Sequence, residues 1–144
     1  GYITSISTII SLISLIFITS VFKKGKRKNA IIYILLISSV ASLGIAFFSG
    51  FKLIFSIFLI FSVKRALMPL STLILMEHKD IGPQKIGTAA GMFFASAEIG
   101  GFSGPFIIGF LRDLTNSHQI GFLFSSILCL TGIFFAFKLN ETKS

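Results

Sequence analysis

Three charged side chains, Lys64, Arg65 and Glu98, lie inside runs that are otherwise apolar. Moving an ion from water into hydrocarbon is costly, so an ionisable group at membrane depth marks a substrate or ion pathway, a proton relay or a buried ion pair. Lys64 and Arg65 are adjacent and suit an anionic substrate or its counter-charge. Glu98 suits proton coupling or gating. The chemistry on offer is therefore binding and proton exchange. His78 and His118 sit in separate polar stretches, and Cys129, the single cysteine, lies within an apolar run as filler. No metal-ligand spacing, phosphate loop or nucleophile–base set is present in the sequence. Enzyme activity, a metal and a cofactor are not expected.

Composition sets the elements that must position these charges. The chain is 53% hydrophobic and only 12% charged, against about 25% in soluble domains. Its mean hydropathy is +0.93. These values predict an all-α, polytopic transmembrane helix bundle. The net charge of +8 would suggest nucleic acid in a soluble chain. Here the basic residues fall mostly between apolar runs, which is a signature of membrane topology. Membrane lipid and a small-molecule solute are the expected partners, and nucleic acid is not.

Five spans are expected, at about 2–22, 29–49, 52–76, 86–111 and 119–137. Between the first two lie Lys23, Lys24, Lys26, Arg27 and Lys28, with no acid among them. A short basic loop of this kind stays on the cytoplasmic side, so it fixes the orientation and places the C-terminus inside. The first span carries Ser7, Ser11 and Ser14 at helical spacing. Such a stripe faces protein or water, or its hydroxyls bond their own backbone carbonyls. The third span, about 37 Å long at ~1.5 Å per residue, has room to tilt. Pro69 cannot donate to the carbonyl of Arg65, so this span should bend beside its charges.

The fourth span is the most unusual. Gly87, Gly91 and Ala95 recur every four residues, as do Ser96, Gly100 and Gly104, and Pro105 and Gly109 follow. Two small-residue tracks on one helix can each seat another helix, and neighbouring helices resatisfy the backbone that Pro frees. Lys64, Arg65 and Glu98 all lie well inside their spans. Antiparallel helices would bring them to similar depth, around an internal cavity, with Glu98 paired to Lys64 or Arg65 in the absence of substrate. A fixed salt bridge holding two helices together is the alternative. Spans two and five carry no charge and are expected on the lipid-facing outside.

The pattern Gly91, eight residues, Gly100, three residues, Gly104-Pro105, three residues, Gly109 resembles the glycine–proline motif of the major facilitator superfamily. Ile108 stands where that motif usually has a first glycine. The loop around Gly25-Lys26-Arg27 is similar to the family's link between its eighth and ninth helices. The run from Gly109 through Asp113, Thr115 and Ser117 is similar to its link between the last two. The tail Glu141-Thr142-Lys143 resembles the family's endings. The resemblance implies that the five spans are helices eight to twelve of a twelve-helix transporter fold. It also implies a missing N-terminal half of the same transporter as partner. Gly1 in place of an initiating Met fits an interior start.

The expected function is that of a fragment of a secondary active transporter in the plasma membrane. It would move a small solute, an anion by the balance of the buried charges, by alternating access with proton coupling. A drug/proton antiporter and a non-transporting membrane subunit of a larger complex are the alternatives.

Overall fold

The structure is a computed structural model describing residues 2–22, 26–78 and 81–139. Six helical segments follow one another: α1 Tyr2–Val21, α2 Arg27–Phe47, α3 Phe51–Lys64, α4 Leu67–Met76, α5 Ile86–Thr115 and α6 His118–Lys138. There is no strand among the described residues. The physical reason is backbone satisfaction. A long apolar segment that closes its N–H and C=O groups within itself can be transferred out of water; an open strand edge cannot.

Four stretches are long and apolar enough to cross a bilayer: Arg27–Phe47, Phe51–Met76 (α3 and α4 together), Ile86–Thr115 and His118–Lys138. α1, Tyr2–Val21, is itself 20 residues long and includes the apolar helix Thr8–Val21. The fold is thus an all-helical bundle compatible with a multi-pass membrane protein.

α2 is the centre of the bundle, and it packs most extensively on α6. The pairing runs along both helices in antiparallel register. Lys28 Nζ donates to the carbonyl of Phe137 at 2.7 Å, and Leu35 faces Gly132. Ser39 Oγ and Ser126 Oγ share a hydrogen bond at 2.7 Å, and Ser42 Oγ donates to the carbonyl of Phe122 at 2.9 Å. As positions rise in α2 they fall in α6. Half of α2's apolar stretch is buried, against none of α5's. This corrects the expectation that the second span lies on the lipid-facing outside of the bundle. Its serines lie hidden among Ile and Leu, and they set the face that packs.

Around this pair the core continues through Ile31, Ile34, Ala66, Leu70 and Ala136, with Leu15 and Ile18 of α1 packed against it. Gly44 of α2 admits Ser56 of α3 so closely that a side chain at 44 would collide with it. Gly50, at φ +62, is the N-cap of α3, a left-handed position that favours glycine in this tight turn.

Two boundaries differ from expectation. α2 begins at Arg27, so Arg27 and Lys28 belong to its first turn rather than to a loop, while Lys23 and Lys24 lie outside the described residues. α5 continues to Thr115, past the expected end at Leu111, because nothing from Arg112 to Thr115 breaks a helix. It stops at Asn116 in the left-handed region, φ 51 and ψ 26, and Ser117 Oγ then accepts from Gln119 N to cap α6.

The packing predicts a contrast between glycines. Gly44→Val should lower stability to unfolding in detergent by about 1–3 kcal/mol, the usual range for overpacking. Gly91→Ala, with open space around its Cβ position, should leave stability unchanged or raise it. Denaturant titration followed by helical circular dichroism measures both. Equal losses at the two positions would contradict the arrangement.

Candidate functional site

The bend in the third span is where the cations sit. Lys64 ends α3, Arg65 follows it, and α4 begins at Leu67. Pro69 occupies the third position of α4 and offers no N–H to the Arg65 carbonyl, so the regular ladder is interrupted there. Ala66 N donates instead to the carbonyl of Val63 at 3.2 Å, a tighter turn, and Leu70 N donates to Ala66 O at 3.1 Å to resume the helix. Ala66 and Leu70 are fully buried and anchor the bend in the core. Lys64 and Arg65 point outward and are exposed.

Glu98 lies in the middle of α5 and is exposed as well. Among the described residues it makes no ion pair, and the pairing expected with Lys64 or Arg65 is not formed. The physical reason is packing. α5 buries none of its residues and meets the rest of the bundle mainly through α6 and α4. Gly121 of α6 admits Ile108 of α5, whose Cγ2 would lie 2.7 Å from an added Cβ. That contact lies near the turn joining the two helices, and the Glu98 region stands clear of it.

The small-residue tracks share this exposure. A side chain added at Gly87, Gly91, Gly100, Gly104 or Gly109 would meet nothing within 4 Å. Ser96 Oγ donates back to the Met92 carbonyl at 2.8 Å, as Thr and Ser in helices commonly do. Pro105 lies inside α5 without ending it. Around Glu98 the exposed apolar side chains are Phe94, Ile99 and Phe102, the last 80% exposed. A long helix with an apolar surface, small residues and a carboxylate, Glu98, at mid-length thus has its whole circumference open except at a few contacts.

The hydroxyls of α1 divide. Ser11 is buried and donates to the Thr8 carbonyl at 2.7 Å; Thr19 and Ser20 also bond carbonyls of their own helix. The side chain of Ser7 lies outside the described residues. Cys129 is buried and free, in keeping with a filler role. Among the described residues, no three His, Cys, Asp or Glu side chains gather as a metal site.

One pair escaped the sequence reading. Arg27 Nη1 meets Glu77 Oε2 at 2.5 Å, with the Arg27 side chain 15% exposed. Arg27, expected to serve topology, also ties the start of α2 to the end of α4. The signal for it was present: Arg27 and Glu77 fall at ends of antiparallel segments that lie on one side of the bundle. Comparison with protein-family models, with curated proteins and with solved structures found no match.

These placements separate two carboxylates. Arg27→Gln should cost about 1–3 kcal/mol, because it leaves Glu77 without its partner in a half-buried setting. Glu98→Gln should stay within about 0.5 kcal/mol in this chain, as for other exposed sites. Thermal unfolding in detergent reads both. A large loss for Glu98→Gln would mean that it forms a structural ion pair after all.

Proposed function

We propose that this chain is the C-terminal part of a secondary active transporter of the major facilitator type, moving a small anionic solute by alternating access. The observation that carries this reading is that Lys64, Arg65 and Glu98, charged residues within apolar spans, all lie on surfaces the chain leaves open. Ions at membrane depth are stable only against water, substrate or opposite charge. The uncovered face of α5 therefore borders something further: a water-filled path and, in this proposal, the missing N-terminal half. Two halves rocking around a midplane site need close, slippery helix contact, and the glycine tracks of α5 supply it.

In this scheme Lys64 and Arg65 hold the anion, and Glu98 carries the coupling proton or acts as a gate. The bend at Pro69 presents the two cations where the helix is least regular. The basic end of the bundle, with Lys26, Arg27 and Lys28, faces the cytoplasm of the plasma membrane, and the C-terminus with it. A different reading, a non-transporting membrane subunit, draws support from the same open tracks of α5, which would then seat a neighbouring subunit. Copurification at fixed stoichiometry favours that reading over transport.

In the full-length transporter, Lys64→Gln and Arg65→Gln should each raise the half-saturating solute concentration by about tenfold, the loss expected for one charge-assisted hydrogen bond. Glu98→Gln should abolish the pH dependence of uptake. Unchanged affinity in both cation variants would sink the anion site. Retained pH dependence in Glu98→Gln would remove the coupling role.

A further inference from the structure

A second site lies at the other end of α5 from its exposed Pro105 region. A cavity of about 500 Å³ opens between α2, α4, the start of α5 and the end of α6. That size falls in the range of about 300–1,000 Å³ typical of small-ligand sites. Ile31, Ile74, Leu75, Phe93 and Leu139 give it an apolar wall, and His78 stands among them. Ile31 and Ile74 are themselves buried, so the cavity reaches into the core cluster rather than lying on a flat surface.

The surroundings of this cavity are basic. Arg27 is one helical turn before Ile31 on the same face of α2, and its partner Glu77 adjoins His78. Lys28 is tied to the carbonyl of Phe137, two residues from Leu139. Lys85 closes the turn that follows Ile81, with its N–H on the carbonyl of Gly82. Lys26, the N-cap of α2, and Lys85 are exposed. Among the described residues at this end, Glu77 is the acid set against Lys26, Arg27, Lys28, Lys85 and Lys138. Arg27 also keeps its Nε–H buried without a protein acceptor. A guanidinium N–H in that condition carries a desolvation penalty that an anionic oxygen relieves.

An apolar slot at a basic end of the bundle, with Arg27 one turn before its Ile31 and Lys85 four residues after its Ile81, matches one chemistry, a hydrocarbon chain carrying a phosphate. We propose that the cavity binds an anionic phospholipid of the adjacent leaflet, its acyl chain along Ile31, Ile74, Leu75 and Phe93 and its phosphate near Lys26, Arg27 and Lys85. A neutral apolar solute would leave the cations unused, and a free phosphate would leave the apolar wall wet. Basic pockets between spanning helices on the cytoplasmic side are suited to such head groups. The proposal rests on the membrane-spanning reading, but not on transport. The bound lipid would brace α2, α4, α5 and α6 at one end, where α5 has few protein contacts of its own.

The chain has no tryptophan, so Phe93→Trp supplies a single emitter in the cavity. Phe106→Trp, at a position 68% exposed on α5, reports ordinary surrounding lipid. Each variant is reconstituted into phosphatidylcholine vesicles containing brominated-chain phosphatidylglycerol or brominated-chain phosphatidylcholine. The expected result at Phe93 is a preference of about tenfold for the anionic lipid, falling about fivefold in Lys85→Gln, as one basic residue near a head group contributes. At Phe106 the two lipids should quench alike. Equal quenching by both lipids at Phe93, or a preference unchanged by Lys26→Gln and Lys85→Gln, overturns the anionic site. Quenching at Phe106 with none at Phe93 shows that no chain enters the cavity and also overturns it. Quenching at neither position overturns the membrane-spanning reading itself. Leu75→Trp provides a second cavity reporter should Phe93→Trp perturb the helix content.

Discussion

Much of this structure depends on how hydroxyl groups are satisfied between two apolar helices. Ser39 and Ser126 are both buried, and each hydroxyl donates toward the other residue's side chain or carbonyl. Ser42 reaches the Phe122 carbonyl one turn further along. In water such bonds contribute little. Between helices in an apolar medium each is worth roughly 0.6–1.7 kcal/mol, and they fix rotation and register where Ile and Leu alone would permit several. Small residues then let the backbones close: Ser38, Ala41 and Ser42 on α2 and Gly132 on α6. With α2 and α6 locked, α3 and α4 fold against α2, and α1 against α3.

This division of the molecule has a consequence for α5. The bundle uses its close-approach residues on α2 and α6, while the helix richest in glycine is left at the margin. A glycine in an exposed helix interior costs about 1 kcal/mol relative to alanine, with no packing to offset it. Keeping Gly87, Gly91, Gly100 and Gly104 on two bare tracks is thus physically wasteful for an isolated chain. It becomes sensible if other membrane segments cover those tracks. The same holds for Glu98, whose carboxylate has no counter-ion among the described residues.

The sequence carried the coarse plan openly. Hydropathy marked the apolar helices, polar stretches marked their ends, and Pro69 marked the place beside Arg65 where a regular hydrogen-bond ladder cannot continue. The ranking of helices from centre to margin was hidden. Charge points to the inner helices, and α2 is uncharged within its apolar run. Its Ser39 and Ser42 are the relevant sign, but a hydroxyl that bonds another helix looks the same in sequence as one that bonds its own carbonyl, as Ser11 and Ser96 do. The topology puts Arg27 and Glu77 on one side of the bundle, but it does not single out these two among the charges gathered there. α5 runs past its apolar zone because Arg112 and Asp113, polar though they are, continue a helix.

The central claim is that α5 crosses the bilayer with Glu98 inside it. The most direct measurement is labelling with a membrane-impermeant maleimide in intact cells, using Lys85→Cys and Asp113→Cys one at a time. Cys129, the sole native cysteine, is replaced by alanine in both. The account predicts that position 113 reacts in intact cells and position 85 only after permeabilisation. Reaction of both from the same side would mean that α5 does not cross, and Glu98 would lose its place within the membrane.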